Sequence, residues 1–151
     1  MKRRTFLTSA MAAFTCSPAF AAGYEVTRSD AQWRAMLSKQ EYNVMRQEGT
    51  ERAFTSPLND EKRNGVFACR GCDLPLYDAK DKFDSGTGWP SFVRAMPNAI
   101  GTKKDRKLFL SRTECHCSRC GSHLGHIFDD GPAPTGKRHC INGVSLKFNA
   151  A

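Results

Sequence analysis

Cys69-Arg-Gly-Cys72 and Cys117-Ser-Arg-Cys120 constrain this chain more than any other feature. A two-residue spacer lets both thiolates of a pair face one ion, and two such turns complete a tetrahedral sulfur site. The long interval between the pairs means that one ion clamps two distant stretches together. Four closed thiolates in an otherwise redox-silent framework suit a structural zinc better than iron. Two disulfides are the alternative in an oxidising compartment. Paired CxxC turns specify metal more strongly than they specify disulfides, so one structural zinc and no organic cofactor is the expectation.

Around these turns, 151 residues suffice for one domain with a core that does not depend on disulfide staples. Ser29-Asp-Ala-Gln32 and Ser38-Lys-Gln-Glu41 each have the form of a capping box. Trp33, Met36 and Leu37 recur at helical spacing, as do Tyr42 and Met45, and Gly49 stops the second run. The pattern predicts two short helices, over 29–37 and 39–48, with Trp33 and Tyr42 as core anchors. After Pro57 short apolar or alternating runs take over, at 66–69, 108–114, 124–128, 139–141 and 144–148. Turn clusters such as Asn64-Gly65 and Asn142-Gly143 separate them. Several short strands with frequent turns predict a mainly β domain of antiparallel sheets with a helical N-terminal cap.

Residues 1–21 stand apart. Lys2, Arg3 and Arg4 form a basic start, a short apolar stretch follows, and Ala19-Phe20-Ala21 supplies small residues three apart. That is the layout of a cleavable export signal, too short in its apolar part to span a bilayer. Arg3-Arg4-Thr-Phe-Leu also has the look of a twin-arginine signal, with the ordinary export route left open. The expectation is an exported monomer of a bacterial periplasm or envelope, without stable membrane insertion, whose mature domain spans 22–151. Removing three basic and no acidic side chains lowers the net charge from +8 to +5. Lys103-Lys-Asp-Arg-Lys107 is the one dense basic cluster and reads as a solvated turn. No aromatic residues interleave it as a nucleic-acid platform requires, so no nucleic-acid partner is expected.

Seven cysteines, less Cys16 in the signal and four on the metal, leave Cys115 and Cys140. Cys140 lies in Arg138-His-Cys-Ile-Asn142, where strand alternation puts Arg138, Cys140 and Asn142 on one face. A guanidinium beside a thiol favours the reactive thiolate, while a buried inert cysteine is the alternative. His123-Leu-Gly-His126 offers two imidazoles for acid–base work. On a flat strand they point to opposite faces, so both reach one site only if a bulge or bend falls at Gly125. Gly88-Trp-Pro-Ser-Phe92 adds an aromatic pair, Trp89 and Phe92, on a stiff, turn-like segment. Bare pattern makes Trp89 a core residue, and the turn chemistry around it keeps the pair as candidate substrate contacts.

These blocks together resemble a known family. Ser85-Gly-Thr-Gly-Trp-Pro-Ser-Phe92, His123-Leu-Gly-His-Ile-Phe128 and Arg138-His-Cys-Ile-Asn142 are similar to the signature blocks of the methionine sulfoxide reductase B family. The 49–58 stretch and both CxxC pairs fit in the same order, over roughly residues 30–148. The resemblance implies two antiparallel sheets, zinc far from the chemistry, and thiol-dependent reduction of methionine-R-sulfoxide in oxidised proteins. It implies Cys140 as nucleophile, Trp89 against the sulfoxide methyl, and His123 and His126 around the sulfoxide oxygen. Asp130 orients an imidazole on this reading, Arg138 supports the thiolate, and Asn142 holds water or substrate. Where many members carry a resolving cysteine, this chain has Thr87, and a hydroxyl cannot form a disulfide. Cys115 is then the sole internal candidate for resolution, unless it is a small core residue and a thioredoxin-like thiol attacks from outside. A zinc-stabilised β module that binds without turnover is the rival reading, which Cys140, Arg138 and both histidines argue against.

Overall fold

The computed structural model describes residues 23–106 and 111–151. The export segment expected at 1–21, and the 107–110 part of the expected strand and basic cluster, lie outside the described residues.

Helix α1 spans Asp30–Met36 and α2 spans Lys39–Gln47. Both begin as the capping boxes predict: the side chains of Ser29 and Ser38 accept from the N–H groups of Gln32 and Glu41, and the Gln32 and Glu41 side chains accept in return. The helices cap the end of the molecule that carries the two CxxC turns. Trp33 is buried between the guanidinium groups of Arg28 and Arg46, 4.8 and 4.7 Å from its ring centre. Each guanidinium donates onward to a carbonyl of a different CxxC turn, Arg28 to Gly71 and Arg46 to Cys120.

Among the described residues nine strands follow, in two antiparallel sheets. β1 (Gly65–Cys69), β2 (Pro75–Asp78) and β9 (Leu146–Ala150) form one, in the order β2-β1-β9. The other comprises β3 (Lys82–Phe83), β4 (Ser91–Phe92), β5 (Ile100–Asp105), β6 (Arg112–Cys117), β7 (His123–Phe128) and β8 (Arg138–Ile141). Its order is β3-β4-β8-β7-β6-β5. Chain neighbours β8 and β9 thus belong to different sheets, and the turn at 142–145 carries the chain across. Aromatic rings join the sheets: Tyr77 stacks on Phe92 at 4.3 Å and Phe67 meets it edge-on at 5.0 Å.

Several expected boundaries shift. The described part of the basic cluster departs from the expected turn: Lys103–Asp105 lie in edge strand β5, where exposed lysines disfavour pairing with another chain. Strands β3 and β4, at two residues each, are too short for alternation to be visible. β2 opens on a proline, which suits an edge position. The run expected from 144 begins instead as a 3-10 turn, Gly143–Ser145.

Candidate active site

The two CxxC turns are near copies of each other. In each, the first cysteine's carbonyl accepts from the residue after the second cysteine, Asp73 or Gly121, at 2.9 Å. The first cysteine's N–H donates to the next residue along, Leu74 or Ser122, at 2.8 and 2.9 Å. Both Asp73 (φ 60°) and Gly121 (φ 68°) are left-handed, which folds each turn back on itself. The four sulfurs lie within 4.8 Å of one another, with Cys69–Cys120 at 3.7 Å and Cys72–Cys117 at 3.5 Å. A disulfide needs about 2.05 Å, whereas a tetrahedral ion with bonds of about 2.3 Å sets sulfurs about 3.8 Å apart. The donor set fits a structural metal joining the end of β1 to the end of β6.

Cys140 occupies a different setting. On β8 it sits opposite His126 of β7 on one side and Ser91 of β4 on the other. It lines a cavity of about 120 Å³ with Trp89, His126, Phe128, Thr50 and Arg112. Burial pushes its thiol up from the ordinary value of 9.0, and the Thr87 hydroxyl, 4.0 Å from Sγ, and Arg138 offset part of that. Arg138 is held by a bidentate pair with Asp130 at 2.9 and 2.8 Å and lies 4.4 Å over the Phe128 ring.

A bulge brings the histidines together. Between β6 and β7 the register slips: Cys115 faces Gly125 but His116 faces His123, so Leu124 is the extra residue. The His123 and His126 rings consequently meet with centroids 5.5 Å apart. A side chain at 125 has no room, since a Cβ there would lie 2.0 Å from the Cys140 carbonyl oxygen. Asn142 pins the bulge by donating to the Leu124 carbonyl from its backbone (2.8 Å) and from Nδ2 (2.9 Å).

Each imidazole rests one nitrogen on a carboxylate. His123 Nδ1 is 2.7 Å from Glu114 Oε1, and His126 Nε2 is 3.0 Å from Asp105 Oδ2. The free nitrogens are then Nε2 of His123 and Nδ1 of His126. Burial pushes His126 down from 6.5, and the Asp105 bond opposes this. Burial also pushes Glu114 up, but the imidazoles of His116 and His123 outweigh it and hold the carboxyl at about 2. His126 lines the Cys140 cavity and an adjoining hollow of about 310 Å³, which His123 and Glu114 also line.

Residues 37–150 match the SelR domain family. A peptide methionine sulfoxide reductase MsrB of Thiobacillus denitrificans is 52% identical over 123 residues, 81% of this chain and 93% of that protein. One of Methanosarcina barkeri is 50% identical over 124 residues, covering 82% and 87%. The chloroplastic reductase B1 of Arabidopsis thaliana is 50% identical over 123 residues, covering 81% and 61%. The chain belongs to the methionine sulfoxide reductase B family.

Membership corrects one expectation outright. Export to a bacterial periplasm or envelope does not stand: the relatives matching over four-fifths of the chain are MsrB enzymes, none of these four is named for that compartment, and two are chloroplastic.

The geometry corrects others. Asp130 grips Arg138 and no imidazole; Glu114 and Asp105 meet the imidazoles instead. Phe92 is fully buried between the sheets and is a core residue, whereas Phe128 lines the cavity. Asn142 does line the cavity, and its amide also bonds backbone at each end, Oδ1 accepting from Glu51 N–H at 2.9 Å. Cys115 is fully buried on the Tyr77 side, and burial pushes its thiol well up. Its strand β6 is separated from β8 by β7, which places its Cα about 10 Å from that of Cys140. A disulfide spans at most about 7 Å, so Cys115 does not resolve Cys140.

Sequence reasoning gave Glu51 no role of its own. It is buried at 4% exposure. Its carbonyl accepts from Trp89 Nε1 at 2.9 Å, its N–H holds Asn142, and its carboxylate accepts from Gly143 N–H at 2.6 Å. One residue thus ties the indole, the bulge-pinning amide and the inter-sheet turn together. The signal was an acidic residue inside the 49–58 block, with nothing local to explain it.

Proposed function

We propose that residues 22–151 form a reductase domain that converts methionine-R-sulfoxide in proteins to methionine through Cys140. The observation that carries this is one cavity shared by a half-buried thiol, an indole and a carboxylate-backed imidazole. The sulfoxide methyl packs on Trp89, and its oxygen meets the free nitrogens of His126 and His123. Protonation there makes the sulfoxide sulfur electrophilic. The thiolate, supported by Arg138 and the Thr87 hydroxyl, attacks that sulfur. The oxygen ends on Cys140, so a thiol and a sulfoxide become a sulfenic acid and a thioether, with Cys140 oxidised and methionine sulfur reduced. Asn142 and Glu51 act as positioning residues, and Asp130 acts through Arg138.

With Cys115 out of reach, an external thiol of thioredoxin type attacks the sulfenic sulfur, releasing water and leaving a mixed disulfide. Its second thiol then frees Cys140. Cys69, Cys72, Cys117 and Cys120 would hold one structural zinc, whose contribution is to fold and not to this chemistry. Turnover of each sulfoxide epimer with a chemical dithiol tests the reading. Only the R epimer is consumed, and Cys140→Ser lowers turnover by at least about 10³-fold with metal content unchanged. Full activity in Cys140→Ser ends it.

A further inference from the structure

Beside the cavity stands an aromatic ring that the reaction does not use. Among the described residues the exposed large hydrophobic side chains are Tyr24, Met36 and Phe54, and Phe54 is the most exposed at 73%. Its backbone is left-handed, with φ 63°, a conformation that disfavours a bulky L residue by about 1–2 kcal/mol. The ring is therefore neither sheltered from water nor on a relaxed backbone.

Its place is nevertheless fixed. Phe54 N–H donates to the Gly88 carbonyl at 2.8 Å, Asn59 Nδ2 donates to the same oxygen at 3.1 Å, and Trp89 Nε1 donates to Glu51 at 2.9 Å. These bonds stitch the 51–59 loop to the segment bearing Trp89. Gly88, at φ 91°, leaves room for the ring: a Cβ there would lie 2.8 Å from Phe54 Cδ2. Phe54, Phe83 and Trp89 form the apolar part of a groove of about 180 Å³ whose remaining wall carries Asp60, Lys82 and Asp84, so only the aromatic part can receive an apolar side chain. Trp89 is thus a shared wall, with the Cys140 cavity along one part of it and this groove along another.

We propose that Phe54 and this groove seat the polypeptide flanking the oxidised methionine, selecting an apolar side chain two positions away from it. This rests on the reading of the function as sulfoxide reduction in proteins. In an extended chain, residues two apart project to the same side about 7 Å from each other. A methionine sulfoxide side chain inserted beside Trp89 therefore directs its second neighbours toward the rim of the same indole. Continuity through Trp89 favours the substrate chain over the thiol donor, which needs only a path to Sγ. Burial of a leucine against Phe54 removes apolar surface from water on both partners.

The test uses the full chain with a chemical dithiol and three substrates: free methionine-R-sulfoxide and two peptides with Leu or Ser two positions from the oxidised residue. The variant is Phe54→Asn, since Asn tolerates the left-handed backbone better than Phe and the fold is retained. For wild type, the Leu peptide shows a KM about tenfold below the Ser peptide, and Phe54→Asn removes that difference. Equal KM values for the two peptides in wild type, or a difference that survives in Phe54→Asn, overturns the proposal. A parallel assay replaces the dithiol with a thioredoxin-type protein, and an effect of the variant confined to the KM for that donor also overturns the proposal, because it assigns the ring to that partner. Failure of wild type to reduce any of the three substrates brings down the functional reading itself, and this inference with it.

Discussion

The two ends of the molecule use cysteine in opposite ways. At the metal end, four sulfurs converge because two short turns repeat one hydrogen-bond scheme, each complete within six residues of chain. At the cavity, a single sulfur stands among side chains from β4, β7, β8 and the 49–51 and 85–89 segments, none of which makes a local motif with it. The first arrangement is cheap to specify and rigid; the second depends on strand order, one bulge and a buried glutamate. Fixed geometry on one side and chemical access on the other follow from that difference.

The largest effect separating the ends should come from the metal. Cys117→Ser, or removal of the ion by a chelator, should cost about 4 kcal/mol or more and lower the melting temperature by at least about 10 °C. Calorimetry with elemental analysis checks this. At temperatures where the variant stays folded, the reactivity of Cys140 toward an alkylating agent should be unchanged. Accelerated alkylation in the folded variant would mean that the two ends are coupled after all.

A smaller effect probes the carboxylate behind His123. Glu114→Gln removes the carboxylate on which His123 Nδ1 rests and should lower kcat/KM about 10–100-fold. The same change sharpens the stability contrast. The Glu114 carboxyl is held at about 2 against an ordinary 4.5. It therefore adds stability that is complete above about 4.5 and is lost as pH falls toward 2. Acid unfolding curves of wild type and variant should converge over that window. Parallel curves would remove Glu114 from the acid response.

The smallest effect compares the two metal turns themselves. Asp73 holds the left-handed position that Gly121 fills in the other turn, and its carboxylate pairs with Lys147 at the surface. Asp73→Gly relaxes the backbone and forfeits a surface ion pair worth little, for a net gain of about 0.5 kcal/mol by denaturant titration. A loss of stability would show that the ion pair outweighs the strain.

The sequence by itself determined whatever is encoded within a few residues. Capping boxes start both helices because Ser29 and Ser38 reach donors three positions on. The CxxC spacing sets two sulfurs toward one point, and alternation along 138–142 separates Arg138 and Cys140 from His139 and Ile141. The need for a bend in β7 was legible too, because residues three apart cannot share a face of a flat strand.

Only the tertiary structure decided what depends on strand order. Phe92 belongs to the core because Tyr77 and Phe67, from the other sheet, close over it. Cys115 is denied to Cys140 because β7 runs between their strands. Glu114 and Asp105, far from the histidines in sequence, reach them through the pairing of β5, β6 and β7, while Asp130 turns to Arg138. Chain distance fixes which atoms can meet within a turn, but a sheet brings together residues whose separation along the chain carries no trace of their contact.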